Sequence, residues 1–166
     1  GLWRISQEPF MASAKWIDNL VVRASYGLQG NIDKNTSPFL LGNYRIENIL
    51  PGGSEDMIDV SGAPNKKLRW EKTHSVNAGF DFAVLNQAIN LSVDYYYRKG
   101  VDLIGTQMLP LETGFGMLTV NWASMRNQGV EVALSTRNVH TKNFMWTTNF
   151  NFAYNNNKVL KEALRE

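Results

Sequence analysis

The sequence predicts an all-β protein whose antiparallel strands run up and down in chain order. Apolar and polar residues alternate along four long segments and one shorter segment. A period of two is typical of strands, because successive side chains point to opposite faces of a sheet. Short and long connections alternate between these segments. No run of about 18 apolar residues occurs, which excludes a transmembrane helix.

The alternating segments lie at 20–29, 76–84, 89–98, 130–135 and 144–155. Each has one apolar and one polar face, so each strand is expected to be dry on one side and wet on the other. The main apolar-face residues are Val22, Tyr26, Phe80, Phe82, Leu91, Val93, Tyr95, Val132, Trp146, Phe150 and Phe152. The main polar-face residues are Arg23, Asn77, Asp81, Ser92, Asp94, Glu131, Asn149 and Asn151.

Two hairpins are predicted from the parity of the apolar positions. Across the four residues 85–88 the apolar face switches from even to odd numbers, so pairing Val84 with Ile89 sets Phe82 opposite Leu91. Every apolar residue then has an apolar partner on the same face. By the same reasoning, a turn at 137–143 pairs Thr136 with Phe144.

The connections predict which end of the strands carries loops. We expect short turns near 6–19, 85–88 and 137–143, and long loops rich in Gly, Pro, Asn and Asp near 30–70 and 104–122. Short turns at one end and long loops at the other are typical of outer-membrane barrels. Outside the strands, a short helical turn is expected within 8–16, and a short helix or frayed end within 158–166.

Two environments are possible for the apolar faces. Lipid is favoured by strands that each run about 9–11 residues, the length that crosses a bilayer at a tilt. Aromatic residues near the strand ends favour it too, because such rings suit a bilayer interface. The alternative is a soluble β-sandwich that binds carbohydrate through exposed aromatic residues such as Trp70 and Trp122.

The sequence offers little for catalysis, metals or nucleic acid. A net charge of +2 gives no large basic field. Cysteine is absent, and neither His74 nor His140 has a partner at ligand spacing, so no metal or cofactor is expected. Asp81 and Asp94 lie on the polar faces of adjacent strands. With Arg98 and Asn77 expected nearby, we interpret them as part of a polar network rather than as the carboxylate pair of a hydrolase.

Several blocks carry a family resemblance. They are WRISQEPF at 3–10, VVRASYGLQGN at 21–31, LRWEKT at 68–73, NAGFDFAVLNQAINLSVDYYYRKGVDLI at 77–104, TGF at 113–115, MRNQGVEVAL at 125–134 and WTTNFNFAYNNNKV at 146–159. In these blocks the chain resembles the SusC/RagA family of TonB-dependent outer-membrane transporters. The resemblance covers nearly the whole chain apart from the loops.

This resemblance implies a plugged transmembrane β-barrel of about 22 strands, of which the chain is one arc towards the C-terminal half. It implies the outer membrane of a Gram-negative bacterium, with the plug domain lying outside this chain. It also implies import of oligosaccharides or peptides, a SusD-like surface lipoprotein as a lid, and TonB acting through the plug. The apolar faces would then contact membrane lipid and the polar faces the lumen.

The candidate contacts to cargo or lid are Trp70, Trp122 and Arg126, in or beside the long loops. For Arg126, a hydrogen bond within its own loop is the favoured interpretation, and contact with a ligand is the alternative. The resemblance carries over no other transport residue. No enzyme activity and no nucleic-acid partner are expected.

Overall fold

The computed structural model describes residues 1–32, 34, 36–50, 52–60 and 62–161. Strands account for most of these residues. They are β1 (Leu2–Arg4), β2 (Ile17–Asn31), β3 (Gly42–Leu50), β4 (Gly53–Val60), β5 (Glu71–Val84), β6 (Ile89–Met108), β7 (Met117–His140) and β8 (Met145–Lys161). Short 3-10 turns lie at Ile5–Gln7, Pro9–Met11 and Leu111–Thr113. A search of the described residues found no helix with the length and apolar character needed to cross a membrane.

The strands form two sheets. Six of them make one sheet in the order β1-β2-β5-β6-β7-β8, and β3 pairs with β4 in a separate two-stranded sheet. Strand β1 runs antiparallel to β2, with Leu2 opposite Arg23 and Arg4 opposite Val21. Neighbours in the large sheet follow one another along the chain, apart from the inserted β3–β4 hairpin. The predicted all-β, antiparallel fold is therefore confirmed.

By packing, the chain divides into two units. Unit 1 contains Gly1–Gln29, Thr73–Lys99 and Met125–Val159; unit 2 contains Gly30–Lys72, Gly100–Ser124 and Leu160–Glu166. In unit 1, Val21, Ala83 and Val84 are buried. Phe150, by contrast, remains 54% exposed. Large side chains on the apolar face of unit 1, such as Phe150, are therefore not enclosed as they would be in the core of a β-sandwich.

The hairpin between β5 and β6 matches its prediction. The strands end at Val84 and begin at Ile89, and the turn between them closes through the Ala88 amide, which donates to the Leu85 carbonyl at 3.2 Å. Three consecutive turn residues adopt the left-handed conformation, with φ of 57°, 55° and 59° from Leu85 to Gln87. The Ser92 hydroxyl donates to Asp81, and the Asp94 carboxylate occupies the space where a Cβ of residue 79 would lie. Both observations agree with Phe82 lying opposite Leu91.

The hairpin between β7 and β8 differs from its prediction. Strand β7 continues to His140 and β8 begins at Met145, so the turn lies at 141–144 and not at 137–143. The Thr141 amide donates to the Phe144 carbonyl at 2.8 Å, and the Phe144 amide donates to Thr141 Oγ1 at 3.0 Å. The predicted pairing of Thr136 with Phe144 is therefore wrong, because a threonine-stabilised turn closes the hairpin further along the chain.

Three other predicted irregular regions are partly strand. The 30–70 segment contains the β3–β4 hairpin, in which Tyr44 lies opposite Ile58. The 104–122 segment shrinks to 109–116, closed by the Leu109 amide donating to the Gly116 carbonyl at 3.2 Å. For residues 158–166 a short helix or a frayed end was expected. Strand β8 continues to Lys161, so the helix is wrong as far as residue 161. Residues 162–166 lie outside the described residues.

Near the N-terminus, the helical turn expected within 8–16 is shorter and ends at Met11.

Candidate functional site

Four polar-face residues of unit 1 meet across three strands. Nη2 of Arg23 on β2 lies 3.1 Å from Oδ1 of Asp81 on β5 and 3.0 Å from Oδ1 of Asp94 on β6. The Ser92 hydroxyl donates to Asp81 Oδ1 at 2.8 Å. We call Arg23, Asp81, Ser92 and Asp94 the polar cluster. The predicted network between Asp81 and Asp94 is present, with Arg23 as its cation.

Solvent limits what this cluster contributes to stability. The Arg23, Asp81 and Asp94 side chains are 40%, 37% and 45% exposed. Ion pairs at such exposure are worth about 0–1 kcal/mol, because water and salt screen them. The cluster therefore joins three strands on their polar face and keeps that face charged. One guanidinium between two carboxylates leaves a net negative charge.

A glycine makes room for the polar cluster. A Cβ placed at Gly79 would occupy the position of the Asp94 carboxylate and would lie 3.2 Å from Arg23 Nη2. A Cβ at position 79 would require the Asp94 carboxylate, the end of a flexible side chain, to shift from its present position. Glycine serves here for close approach and not for backbone conformation.

The remaining predicted polar-face residues line open grooves of unit 1. Glu131 and Asn151 share a groove of about 350 Å³ with Asp94. Asn149 and Asn151 line a groove of about 340 Å³ that includes Asp81 and Ser92. Asn77 donates to Ser25 Oγ at 3.3 Å. These predicted polar-face residues therefore line grooves that carry both charge and amides.

Sequence reasoning expected Arg98 beside the carboxylates and did not identify Arg23 as their partner. The Arg98 guanidinium instead lies 5.9 Å from the centre of the Tyr96 ring. Arg23 was missed because residues 30–70 separate β2 from β5, so no short turn fixed the register of these two strands. The only signal was the position of a cation on a polar face otherwise rich in uncharged residues.

The apolar face of unit 1 is open to its surroundings. The large side chains predicted on this face leave much of their surface exposed to solvent. The Trp16 and Phe82 rings contact each other edge to face, with centroids 6.4 Å apart. The most exposed of the predicted residues are Tyr26, Trp146, Phe150 and Phe152, with Val22, Phe80 and Tyr95 somewhat less so. A contiguous face of this kind indicates contact with an apolar medium or partner.

Unit 2 contains a second polar cluster near the start of β5. Asn121 binds the Arg69 backbone twice: its Oδ1 accepts from the Arg69 amide at 2.6 Å, and its Nδ2 donates to the Arg69 carbonyl at 2.7 Å. Nη2 of Arg69 donates to Asp102 Oδ1 at 2.9 Å. Asp102 has a φ of 57°, so it interrupts the regular β6 backbone.

The three candidate cargo-contact residues have different local surroundings. Trp70 is 61% exposed, and a Cβ at Gly30 would lie 3.6 Å from its ring. The Trp122 indole packs against Gly105. Arg126 belongs to unit 1, and its Nε is buried with no protein partner among the described residues. The described residues also hold no group of three His, Cys, Asp or Glu side chains placed to bind a metal ion.

Comparison with known proteins defines the class to which this fold and its two-faced sheet belong. Residues 10–164 match the family model described as TonB dependent receptor-like, beta-barrel. The chain therefore belongs to this family, whose members are outer-membrane β-barrels of Gram-negative bacteria.

Individual relatives agree with this assignment. The chain is 36% identical over 163 residues to TonB-dependent receptor P39 of Formosa agariphila, covering 97% of this chain and 15% of that protein. It is 31% identical over 164 residues to TonB-dependent receptor SusC of Bacteroides thetaiotaomicron, covering 96% and 16%. The solved RagAB peptide transporter superposes with a TM-score of 0.75 at 26% identity, covering 98% and 18%. The predicted SusC/RagA resemblance is confirmed, and the chain spans about a sixth of these curated relatives.

Proposed function

We propose that this chain is a wall segment of a TonB-dependent importer that carries oligosaccharides across the outer membrane. The observation that carries the proposal is the two-sided sheet of unit 1, with exposed apolar rings on one face and the Arg23–Asp81–Asp94 cluster on the other. A barrel wall needs such a sheet, because one side contacts hydrocarbon and the other a watery interior.

In this proposal the two faces have separate roles. The apolar face seals against lipid. Its main residues are Val22, Tyr26, Phe80, Phe82, Leu91, Val93, Tyr95, Val132, Trp146, Phe150 and Phe152. The polar face lines the lumen, where Glu131, Asn149 and Asn151 border open grooves beside the polar cluster. The short turns at 85–88 and 141–144 would face the periplasm. The β3–β4 hairpin and the 109–116 connection would face outward.

The partners of the whole importer follow from the same proposal. A SusD-like surface lipoprotein would close over the outward loops, and TonB would act through a plug domain. Trp70, Trp122 and Arg126 are proposed contacts to cargo or lid, with Trp70 the most exposed of the three. A peptide cargo is the second candidate, favoured by the likeness to a structure described as the RagAB peptide transporter.

Uptake by cells tests the proposal. Cells lacking the whole transporter are compared with cells in which it is restored, using fluorescent oligosaccharides and fluorescent peptides of matched length. We expect restored cells to import oligosaccharides, and import to stop when TonB is removed. If restored cells import peptides and no oligosaccharides, the cargo is peptide and the oligosaccharide proposal is wrong. No TonB-dependent import of either class would overturn the proposal.

A further inference from the structure

A turn in unit 2 presents two lysines. The Leu68 amide donates to the Asn65 carbonyl at 3.1 Å, and the Lys67 amide donates to Asn65 Oδ1 at 3.0 Å. Lys66 and Lys67 are the central residues of this turn and are both exposed. Asn65 thus shapes the turn with its side chain as well as its backbone, as asparagine commonly does.

The turn is fixed to alternate residues of β7. The Ala63 amide donates to the Met117 carbonyl at 3.0 Å, and Asn65 Nδ2 donates to the Thr119 carbonyl at 2.8 Å. Asn121 is the third of these alternate β7 residues, and its side-chain amide makes two hydrogen bonds to the Arg69 backbone. The segment is therefore held in place before any ligand arrives, which lowers the entropy cost of binding.

The groove beside this turn carries excess positive charge. It has a volume of about 600 Å³ and is lined by residues 65–69 together with Val120 and Asn121. Arg69 pairs with Asp102 but keeps 65% of its side chain exposed. Lys66 and Lys67 take part in none of the ion pairs formed among the described residues. Nearby Glu71 is engaged elsewhere, accepting from the Ile104 amide and from Asn31 Nδ2, each at 2.9 Å.

We infer that this groove binds an oxyanion, a carboxylate or a sulfate, carried by an acidic oligosaccharide; the inference rests on the proposed function. Lysine ammonium groups act as compact point charges for such anions, and arginine adds a planar fork. The Asn65 and Asn121 amides are occupied by backbone bonds, so the groove selects its ligand by charge.

Backbone bonding in the groove disfavours a peptide ligand. Peptides commonly bind by adding a strand to a free edge, where main-chain groups pair. Here the amide and carbonyl of Arg69 are taken by Asn121, and the amides of Lys67 and Leu68 are taken by Asn65. An extended peptide would find these positions occupied, whereas a charged sugar needs only the side-chain cations.

The test measures binding to the purified whole transporter. The probes are a heparin hexasaccharide for sulfate, a galacturonate hexasaccharide for carboxylate, maltohexaose as the neutral sugar, and a hexaglutamate peptide. The variants are K66A/K67A and, as the matched control, K142A, which removes an exposed lysine from the turn at 141–144. We expect K66A/K67A to weaken binding of both acidic sugars about tenfold at low salt, and K142A to leave it unchanged.

Salt and the other probes separate the outcomes. In the parent protein, the acidic sugars should bind more tightly than maltohexaose. Raising NaCl from about 50 to about 500 mM should remove most of this difference in affinity, because exposed charges are screened. Acidic sugars binding equally to parent and K66A/K67A would overturn the groove assignment while leaving oligosaccharide import intact. Hexaglutamate binding without any sugar binding would overturn both the groove ligand and the proposed cargo.

Discussion

Arg23 reaches past one strand to meet Asp94. Its Nη2 atom lies 3.0 Å from Asp94 Oδ1, although β5 stands between β2 and β6 in the sheet. The same nitrogen contacts Asp81 on the intervening strand at 3.1 Å. Three strands are thus joined on their polar face by one long side chain, and this contact makes the polar face testable by mutation.

Removing the cation should expose repulsion between the two carboxylates. We expect R23A to lower the free energy of unfolding of the whole protein in detergent by about 1 kcal/mol, an amount limited by the exposure of the cluster. A double-mutant cycle with D94A should give a coupling energy of about 0.5–1 kcal/mol. The K15A variant serves as the control, since Lys15 forms none of the ion pairs found among the described residues. A coupling of zero would contradict the assigned contact.

Mutation of Gly79 provides a second test of the Arg23–Asp94 contact. In G79A the new methyl group should push the Asp94 carboxylate away from Arg23, because the two would compete for one position. We expect the free energy of unfolding to fall by about 1 kcal/mol, which is at the low end of the cost of overpacking. The loss should largely vanish when D94A is already present.

The matched control for this variant is G27A on β2, since a Cβ at Gly27 would meet nothing within 4 Å. Urea unfolding of the parent protein, G79A, G27A, D94A and G79A/D94A provides the comparison. Equal stability of G79A and G27A would show that position 79 tolerates a side chain and that the crowding is not real.

The β3–β4 hairpin carries a titratable contact. The Tyr44 hydroxyl donates to Asp56 Oδ1 at 2.6 Å, and this hydrogen bond raises the pKa of Tyr44 above its ordinary value of 10.0. A raised pKa means that the bond stabilises the hairpin fully below the ordinary value, and that this stabilisation is lost as pH rises through the raised pKa. D56N should lower the Tyr44 pKa towards its ordinary value.

Tyrosinate absorbance measures this shift, with Y44F subtracted to isolate Tyr44 from the other tyrosines. E55Q, which changes a carboxylate on the opposite face of the same hairpin, should leave the Tyr44 pKa where it is. An identical titration of Tyr44 in the parent and in D56N would disprove the role of Asp56.

The sequence was most informative where contacts are local. The turn at 85–88 could be predicted because four residues separate two strands whose apolar positions change parity. The turn at 141–144 was misplaced because the Thr141 hydroxyl, which fixes it, leaves no mark on the apolar pattern. The β3–β4 hairpin was missed because it lies in a long segment rich in loop-forming residues.

Long-range contacts were harder to predict. The partnership of Arg23 with Asp94 depends on how β2 docks on β5 after an intervening segment of about forty residues. Alternation assigned Arg23 to a face but could not give its register. The Asn121 bonds to Arg69 depend in the same way on the docking of a loop against β7.

The proposed barrel wall requires that the apolar face of the sheet contacts hydrocarbon while the polar face contacts water. Phe80 and Asn77 test it on a single strand, because they lie on opposite faces of β5. Unfolding of the whole protein from lipid bilayers is measured for F80R and N77R. We expect F80R to cost about 2–4 kcal/mol near the bilayer midplane and N77R far less. Equal costs for the two variants would contradict the account.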